Sequence, residues 1–221
     1  RSLGQAHRIY QAFRELDYDG GLRFNPLYAT GLARDNTELH ISSRQWGEFL
    51  VELWDAWDRD GRTIRVDPLQ GWDQLAGGRR ARIACAFSGR CTESFAGIKA
   101  DGTVYSCGRS LDDQVLPFGN LNDTPLGELL EVPARRALLN RIEWLQQGEC
   151  AGCRWWAFCH GGCPNDAQIA YGDLLRRTCW CEGRKLFFEH AFRDRVGVQA
   201  APAPEDHEDL FGCGSADGEE P

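Results

Sequence analysis

The sequence has no methionine, no cysteine in its first 84 residues and no apolar run of membrane-spanning length. About 20 consecutive apolar residues are needed to cross a bilayer, and no signal peptide opens the chain. We therefore expect a cytoplasmic protein without a membrane partner. Because translated chains begin with methionine and this one begins with Arg1, we also expect a fragment of a longer protein.

The sequence also has no excess of basic residues, since it contains 25 Lys and Arg and 33 Asp and Glu. Seven of the acids lie in residues 200–221, which contain no Lys or Arg, so the rest of the chain is close to neutral. A nucleic-acid-binding domain would need a basic surface, and we expect no such partner. Residues 198–221 are predicted to be a disordered acidic tail.

The cysteine-free part predicts an α/β arrangement. Apolar spacing indicates a helix over 6–16, and residues 22–27 favour a short strand. Ser42 and Gln45 form a capping-box pattern that begins a helix over 43–58. That helix carries an apolar stripe at helical spacing, which we interpret as core: Trp46, Phe49, Leu50, Leu53, Trp54 and Trp57.

Gly77-Gly78 marks a domain boundary, after which the chain changes character. Residues 98–105 predict a β-hairpin that turns at Asp101-Gly102. Thr124-Pro125 predicts the start of a short helix, residues 133–147 a second one, and residues 164–196 are predicted to be partly helical.

Ten cysteines follow this boundary: Cys85, Cys91, Cys107, Cys150, Cys153, Cys159, Cys163, Cys179, Cys181 and Cys213. Dense cysteine indicates disulfides in secreted proteins and metal sites in cytosolic ones. The run Cys150-x2-Cys153-x5-Cys159-x3-Cys163-Pro is related to the C-x2-C-x2-C-x3-C-P run of bacterial ferredoxins. In that run the fourth cysteine ligates the other cluster. Zinc, the alternative metal, would favour two well-separated pairs.

By this logic three cysteines of the run hold one cluster and Cys163 reaches a second. Cys181 or Cys179 would complete the first of these. Three more thiolates, from Cys85, Cys91 and Cys107, would join Cys163. Each of the two clusters then has four cysteine ligands.

The cysteine pattern resembles the SPASM domain of radical S-adenosylmethionine (SAM) peptide and protein maturases, whose signature is C-x9–15-G-x4-C, then C-x2-C-x5-C-x3-C, then C. Cys91, Gly102 and Cys107 match the first part, and Cys150 to Cys181 match the rest. Cys85 is similar to an additional ligand of anaerobic sulfatase-maturase-like members. The resemblance covers residues 6–195 and extends to shorter segments: DGTVYSC, FGNL, HGGCP and the Trp46-to-Leu50 helix.

The resemblance implies two auxiliary [4Fe–4S] clusters. We call Cys85, Cys91, Cys107 and Cys163 the first set, and Cys150, Cys153, Cys159 and Cys181 the second set. It further implies the C-terminal portion of a partial (β/α) barrel over 1–78 and a cysteine-rich α+β SPASM domain over 79–197, with a hairpin and short helices. A peptide or protein substrate and an electron donor or acceptor, such as a ferredoxin or flavodoxin, are the implied partners.

The C-x3-C-x2-C motif that binds SAM and a third [4Fe–4S] cluster is missing from the sequence. The resemblance places it upstream of Arg1, so the full-length protein is expected to be an oxidoreductase-type maturase and this chain alone to be inactive. In sulfatase maturases an aspartate, the proposed base, directly follows the cysteine that matches Cys107. Gly108 stands there, and we therefore favour maturation of a ribosomally made precursor peptide, with sulfatase (formylglycine-forming) maturation as the alternative. Asp112 and Asp113 are possible substitutes for the base.

The sequence leaves the roles of several residues, and two competing functions, undecided. Cys179 competes with Cys181, Cys213 is interpreted as a free thiol, and His160 is interpreted as a neighbour of the clusters rather than a ligand. Gly161 and Gly162 either bring backbone N–H groups to cluster sulfurs or make the turn flexible. A non-catalytic metal-binding module that recognises a peptide, and a disulfide-rich domain, are the competing functions.

Overall fold

The computed structural model describes residues 2–16, 20–81 and 83–195. The predicted acidic tail and Cys213 lie outside these ranges. None of the helices in the described ranges has both the length and the apolar character needed to span a membrane.

Short helices alternate with very short strands. Three helices precede the cysteines: α1 (Ala6–Glu15), α2 (Ser43–Arg59) and α3 (Leu69–Ala76). Eight more follow: α4 (Cys85–Ser88), α5 (Cys91–Ser94), α6 (Gly108–Asp112), α7 (Leu126–Leu129), α8 (Pro133–Gln147), α9 (Trp156–Cys159), α10 (Pro164–Tyr171) and α11 (Cys181–Phe192). The strands are β1 (Gly21–Arg23), β2 (Arg65–Asp67), β3 (Gly97–Ile98), β4 (Thr103–Tyr105) and β5 (Gly119–Asn120). The α/β class is thereby confirmed.

The strands β1 and β2 pair in parallel, with Leu22 opposite Val66, and α2 lies between them in the chain. A parallel pair needs such a crossover connection. The predicted strand over 22–27 is wrong beyond Arg23. Phe24 still donates its N–H to the carbonyl of Asp67, but Pro26 has no N–H with which to extend a ladder.

The helix α2 begins where the capping box predicts. Gln45 N–H donates to Ser42 Oγ at 3.1 Å, and Ser42 N–H donates to Gln45 Oε1 at 2.8 Å. All six apolar residues of its predicted stripe are buried. In α1, Ala6 and Tyr10 are buried, whereas Leu16, at the C-terminal end of the predicted helix, is 69% exposed. The Tyr10 hydroxyl donates to Asp60 at 2.7 Å, which turns this face toward the end of α2.

One aromatic core runs across the predicted boundary at Gly78. Trp54 and Trp72, which precede the boundary, pack against Phe187 and Phe188 of α11. The division into 1–78 and 79–197 stays a prediction, but these two parts share a core in the structure.

The β3-β4-β5 sheet is antiparallel, and β3 and β4 form the predicted hairpin around Asp101-Gly102. The helix α8 begins and ends where Pro133 and Gly148 predict. In the short helix α7, Pro125 is the capping residue rather than the first helical one. These elements carry the cysteine loops described next.

Candidate metal centres

The four cysteines of the second set line one small cavity of about 20 Å³. Cys150 follows the end of α8, Cys159 ends α9, and Cys181 begins α11. Cys153 is brought close to Cys150 by a tight turn, in which its N–H donates to the Cys150 carbonyl at 3.1 Å. Four thiols from three segments therefore face the same space.

The walls of this cavity are aromatic and cationic. Trp155, Trp156 and Phe188 line it together with Arg177 and Arg184. Burial, together with the charges of its neighbouring cysteines, raises the pKa of the Cys150 thiol to about 12. Burial also raises the pKa of Cys181 to about 11. Without a metal these thiols would stay protonated at neutral pH, so binding iron would replace their protons.

Three cysteines of the first set lie near one another at the starts of short elements. Cys85 begins α4, Cys91 begins α5, and Cys107 caps α6. Burial raises the pKa of Cys91, and the charges of Cys85 and Cys107 raise it further. That influence indicates that Cys85 and Cys107 both lie near Cys91.

Polar side chains connect Cys163 with Cys107. Asn165 Nδ2 donates to Cys107 Sγ at 3.4 Å, and Arg109, two residues after Cys107, donates to Cys163 Sγ at 3.2 Å. Burial raises the pKa of Cys163 to about 12. Cys163 therefore lies on the side of its loop that faces the first set.

The loop between Cys159 and Cys163 reverses direction at Gly161 and Gly162, whose φ values are +73° and +71°. An added Cβ at Gly162 would overlap the side chain of Thr178. Its N–H donates to the Cys159 carbonyl at 2.8 Å. The N–H of Gly162 is therefore engaged by the backbone of a tight turn.

His160 holds two of the cysteine-bearing segments together. Its Nδ1 lies 2.7 Å from the Phe87 carbonyl oxygen of α4, and its ring packs against Trp156. Cys179 lies apart from the cavity lining and belongs to the aromatic core.

Arginines and one buried carboxylate surround the cysteines, and the sequence analysis missed them. Arg177 donates to Cys181 Sγ at 3.0 Å, and Arg184 donates to Cys159 Sγ at 3.4 Å. Asp166, 2% exposed, accepts from Arg109 at 2.9 Å and lies 3.7 Å from Arg184. Arginines within four residues of cysteines in the sequence, such as Arg109 and Arg177, are a signal that could have indicated this shell.

A residue from the first 78 positions also contacts one of the arginines around the cysteines. The guanidinium of Arg109 lies 3.7 Å from the ring centroid of Tyr28, a cation–π contact. Burial and the nearby charge of Asp166 raise the pKa of Tyr28 to about 12, so its hydroxyl stays protonated.

The two acidic candidates beside Gly108 are not placed alike. Asp113 forms an ion pair with Arg34 at 3.0 Å, whereas Asp112 is exposed at the end of α6. Gly108 begins that helix, and a Cβ added there would meet nothing within 4 Å.

A fit to iron–sulfur clusters can be tested on unpaired donors. Arg109 Nη2, Arg141 Nε and Arg184 Nε are buried and have no hydrogen-bond partner among the described residues. Each of these arginines lies beside the cysteines. Cluster sulfurs accept hydrogen bonds, so the residues present fit such a group. In the same part of the chain, no three His, Cys, Asp or Glu side chains are close enough to hold one metal ion, whereas a [4Fe–4S] cluster takes one thiolate on each of four irons.

Comparison with known proteins also indicates iron–sulfur cluster binding. Residues 85–154 match the family model of SPASM, described as an iron-sulfur cluster-binding domain. The chain is 26% identical over 200 residues to the "Cysteine-type anaerobic sulfatase-maturating enzyme" of Clostridium perfringens. The aligned region covers 87% of this chain and 52% of that enzyme. The chain is 28% identical over 172 residues to the "Serine-type anaerobic sulfatase-maturating enzyme" of Klebsiella pneumoniae, covering 76% and 40%.

Two solved structures are also similar, both at 25% identity with a TM-score of 0.65 over 88% of this chain. They are "Native anSMEcpe with bound AdoMet", of which 53% is covered, and "Native anSMEcpe with bound AdoMet and Cp18Cys peptide", of which 54% is covered. The chain thus spans about half the length of the relatives it matches. Residues 85–154 are thus similar to the iron–sulfur cluster-binding SPASM domain, and the chain as a whole is similar to part of the anaerobic sulfatase-maturating enzymes.

Proposed function

We propose that this chain holds two auxiliary [4Fe–4S] clusters of a radical SAM enzyme that modifies a peptide or protein. The observation that carries the proposal is the cavity that all four cysteines of the second set line. Four thiolates around one space are the ligand set of such a cluster. The SPASM match supports the same assignment.

The first set is proposed to hold the other cluster. In its support, the charges of Cys85 and Cys107 raise the pKa of Cys91, and Asn165 and Arg109 connect Cys107 with Cys163. The crossing of Cys163 to this set follows the ferredoxin pattern.

When bound, each cluster would supply one-electron transfer. The protein's own part is to favour and protect the ligating thiolates. Arg109, Arg177 and Arg184 each donate a hydrogen bond to a cysteine sulfur, and such bonds favour the ionised form of the thiol. Aromatic side chains line the cavity of the second set, in which Cys150 is buried and the other three cysteines are partly buried.

A peptide or protein is the proposed substrate, because a similar solved structure is described with a bound peptide. Residues 1–78 are proposed to belong to the barrel of the whole enzyme, which would bind SAM and a third cluster through residues outside this chain. A ferredoxin or flavodoxin is the proposed electron partner, and the cytoplasm the proposed location.

The proposed substrate class is a ribosomally made precursor peptide, because Gly108 stands where sulfatase maturases are expected to carry their base. Sulfatase maturation is the second candidate, and the two relatives with that activity favour it. Asp113 is a poor replacement for the base, since its carboxylate is paired with Arg34.

The proposal is tested by anaerobic purification of the protein, followed by iron analysis and electron paramagnetic resonance after reduction. We expect brown protein with about four irons for each set of four cysteines. Colourless protein that contains zinc would contradict it. Incubation of the full-length enzyme with SAM, a reductant and either a sulfatase-derived or a precursor peptide, with the product identified by mass spectrometry, then separates the two substrate classes.

A further inference from the structure

Arg141 is a buried cation in the middle of α8, with 3% of its surface exposed. Its guanidinium donates to three backbone carbonyls, those of Gly162 at 2.9 Å, Gly161 at 3.1 Å and Arg176 at 2.6 Å. None of its hydrogen-bond partners in the described part of the chain is a carboxylate, and its Nε has no partner there at all.

A buried charge is costly unless an opposite charge accompanies it. Carbonyl dipoles compensate the Arg141 charge only in part. The nearest buried carboxylate of this region, Asp166, is already engaged by Arg109 and Arg184. The position of Arg141 therefore calls for another source of negative charge.

Cysteines of both sets would supply this negative charge once iron replaces their protons. Burial lowers the pKa of Arg141, and the charges of Cys163 and Cys91 of the first set and of Cys150 and Cys159 of the second oppose this. The hydrogen bonds to Gly161 and Gly162 place Arg141 beside the loop that joins the two proposed cluster sites.

Its hydrogen bonds also fix the loop that the two sites share. Gly161 and Gly162 lie between Cys159, of the second set, and Cys163, of the first. The third accepting carbonyl, that of Arg176, belongs to the segment that leads to Cys181. One side chain therefore holds the backbone on which ligands of both sets depend.

We propose that Arg141 is the shared counter-charge of the two cluster sites and the positioning residue of the Cys159–Cys163 loop. The inference rests on the proposed function, because it needs both clusters. A cluster held by four thiolates is anionic and gains a further negative charge on reduction, and net charge and hydrogen bonding set its potential. The Arg141 guanidinium therefore favours the reduced state at both sites.

The test is a redox titration of the anaerobically purified protein, monitored by electron paramagnetic resonance. In Arg141→Gln we expect the ratio of reduced to oxidised cluster at a fixed solution potential to fall about tenfold at both auxiliary sites, which is about 59 mV for a one-electron couple. Arg141→Lys keeps the charge and should stay close to the unchanged protein. Arg136→Gln is the matched control, because Arg136 lies on the same helix but is exposed and paired with Glu131.

Unchanged potentials in an iron-replete Arg141→Gln protein would overturn the inference, and so would a shift at one site only. If Arg141→Gln loses iron, its potentials cannot be compared, and Arg141→Lys then tests the charge role. Normal iron content and potentials in the Lys variant support the charge role, whereas loss of its iron overturns it. Failure of the proposed function looks different, because the unchanged protein itself would then lack the two clusters.

Discussion

Gly47 of α2 and Gly183 of α11 meet backbone to backbone, so that a Cβ on Gly47 would lie 2.6 Å from the Gly183 Cα. Gly183 also donates its N–H to Ser43 Oγ at 2.9 Å. This crossing brings α11, which begins with Cys181, against the first part of the chain. Any side chain at the crossing would force the two helices apart.

Gly183→Ala is therefore expected to destabilise the protein, although alanine is the better helix former by about 1 kcal/mol. Overpacking of a close contact typically costs about 1–3 kcal/mol, and here the added atom would overlap backbone that cannot rotate away. The melting temperature should fall by several degrees. Gly127→Ala in α7 is the control, since its Cβ would meet nothing within 4 Å. Equal melting temperatures for the two variants would contradict the account.

Single cysteine substitutions are expected to separate the two sets. Cys181→Ala should remove about four irons and the signal of one cluster, and Cys91→Ala should remove the other, because each cluster needs four thiolates. Cys179→Ala is the comparison, since that side chain lies in the aromatic core. Iron analysis and spectroscopy on each variant decide the matter. Loss of a cluster from Cys179→Ala, with Cys181→Ala intact, would exchange the roles of the two residues.

Asp166→Ala should be costly, because it removes the carboxylate that lies between two buried or partly buried arginines. Arg109 and Arg184 would keep their charges without a partner, and breaking a buried pair in this way costs about 3–5 kcal/mol. A large drop in melting temperature is expected, compared at equal iron content. Asp112→Ala, at an exposed position, should leave the melting temperature unchanged. A small effect of Asp166→Ala would show that water replaces the carboxylate.

Features set by neighbouring residues could be predicted from the sequence, whereas contacts between distant parts of the chain could not. The bounds of α8 follow from Pro133 and Gly148, which act on their own helix ends. The cysteine sets follow from spacing, because a ligand loop is also local. The contact of Arg184 with Cys159 spans 25 positions and that of Arg109 with Cys163 spans 54. No periodicity or capping rule encodes such tertiary contacts, so the fold was needed to show which cysteine each of these arginines contacts.

Gly108→Asp tests whether this position decides the substrate class. The glycine begins α6, and a Cβ there would meet nothing within 4 Å, so the aspartate is expected to fit. A carboxylate in the first turn of a helix is also mildly favourable, by up to about 1 kcal/mol. Iron content and melting temperature should therefore stay at the level of the unchanged protein.

The informative readout is the product that the full-length enzyme forms from a sulfatase-derived peptide, measured by mass spectrometry in the presence of SAM and a reductant. If the missing base is what prevents formylglycine formation, the unchanged protein should form none and Gly108→Asp should form a detectable amount. Formylglycine made by the unchanged protein would mean that another group acts as the base. Asp112→Asn and Asp113→Asn then identify it, and the Asp113 variant is expected to matter less, because Arg34 already holds that carboxylate.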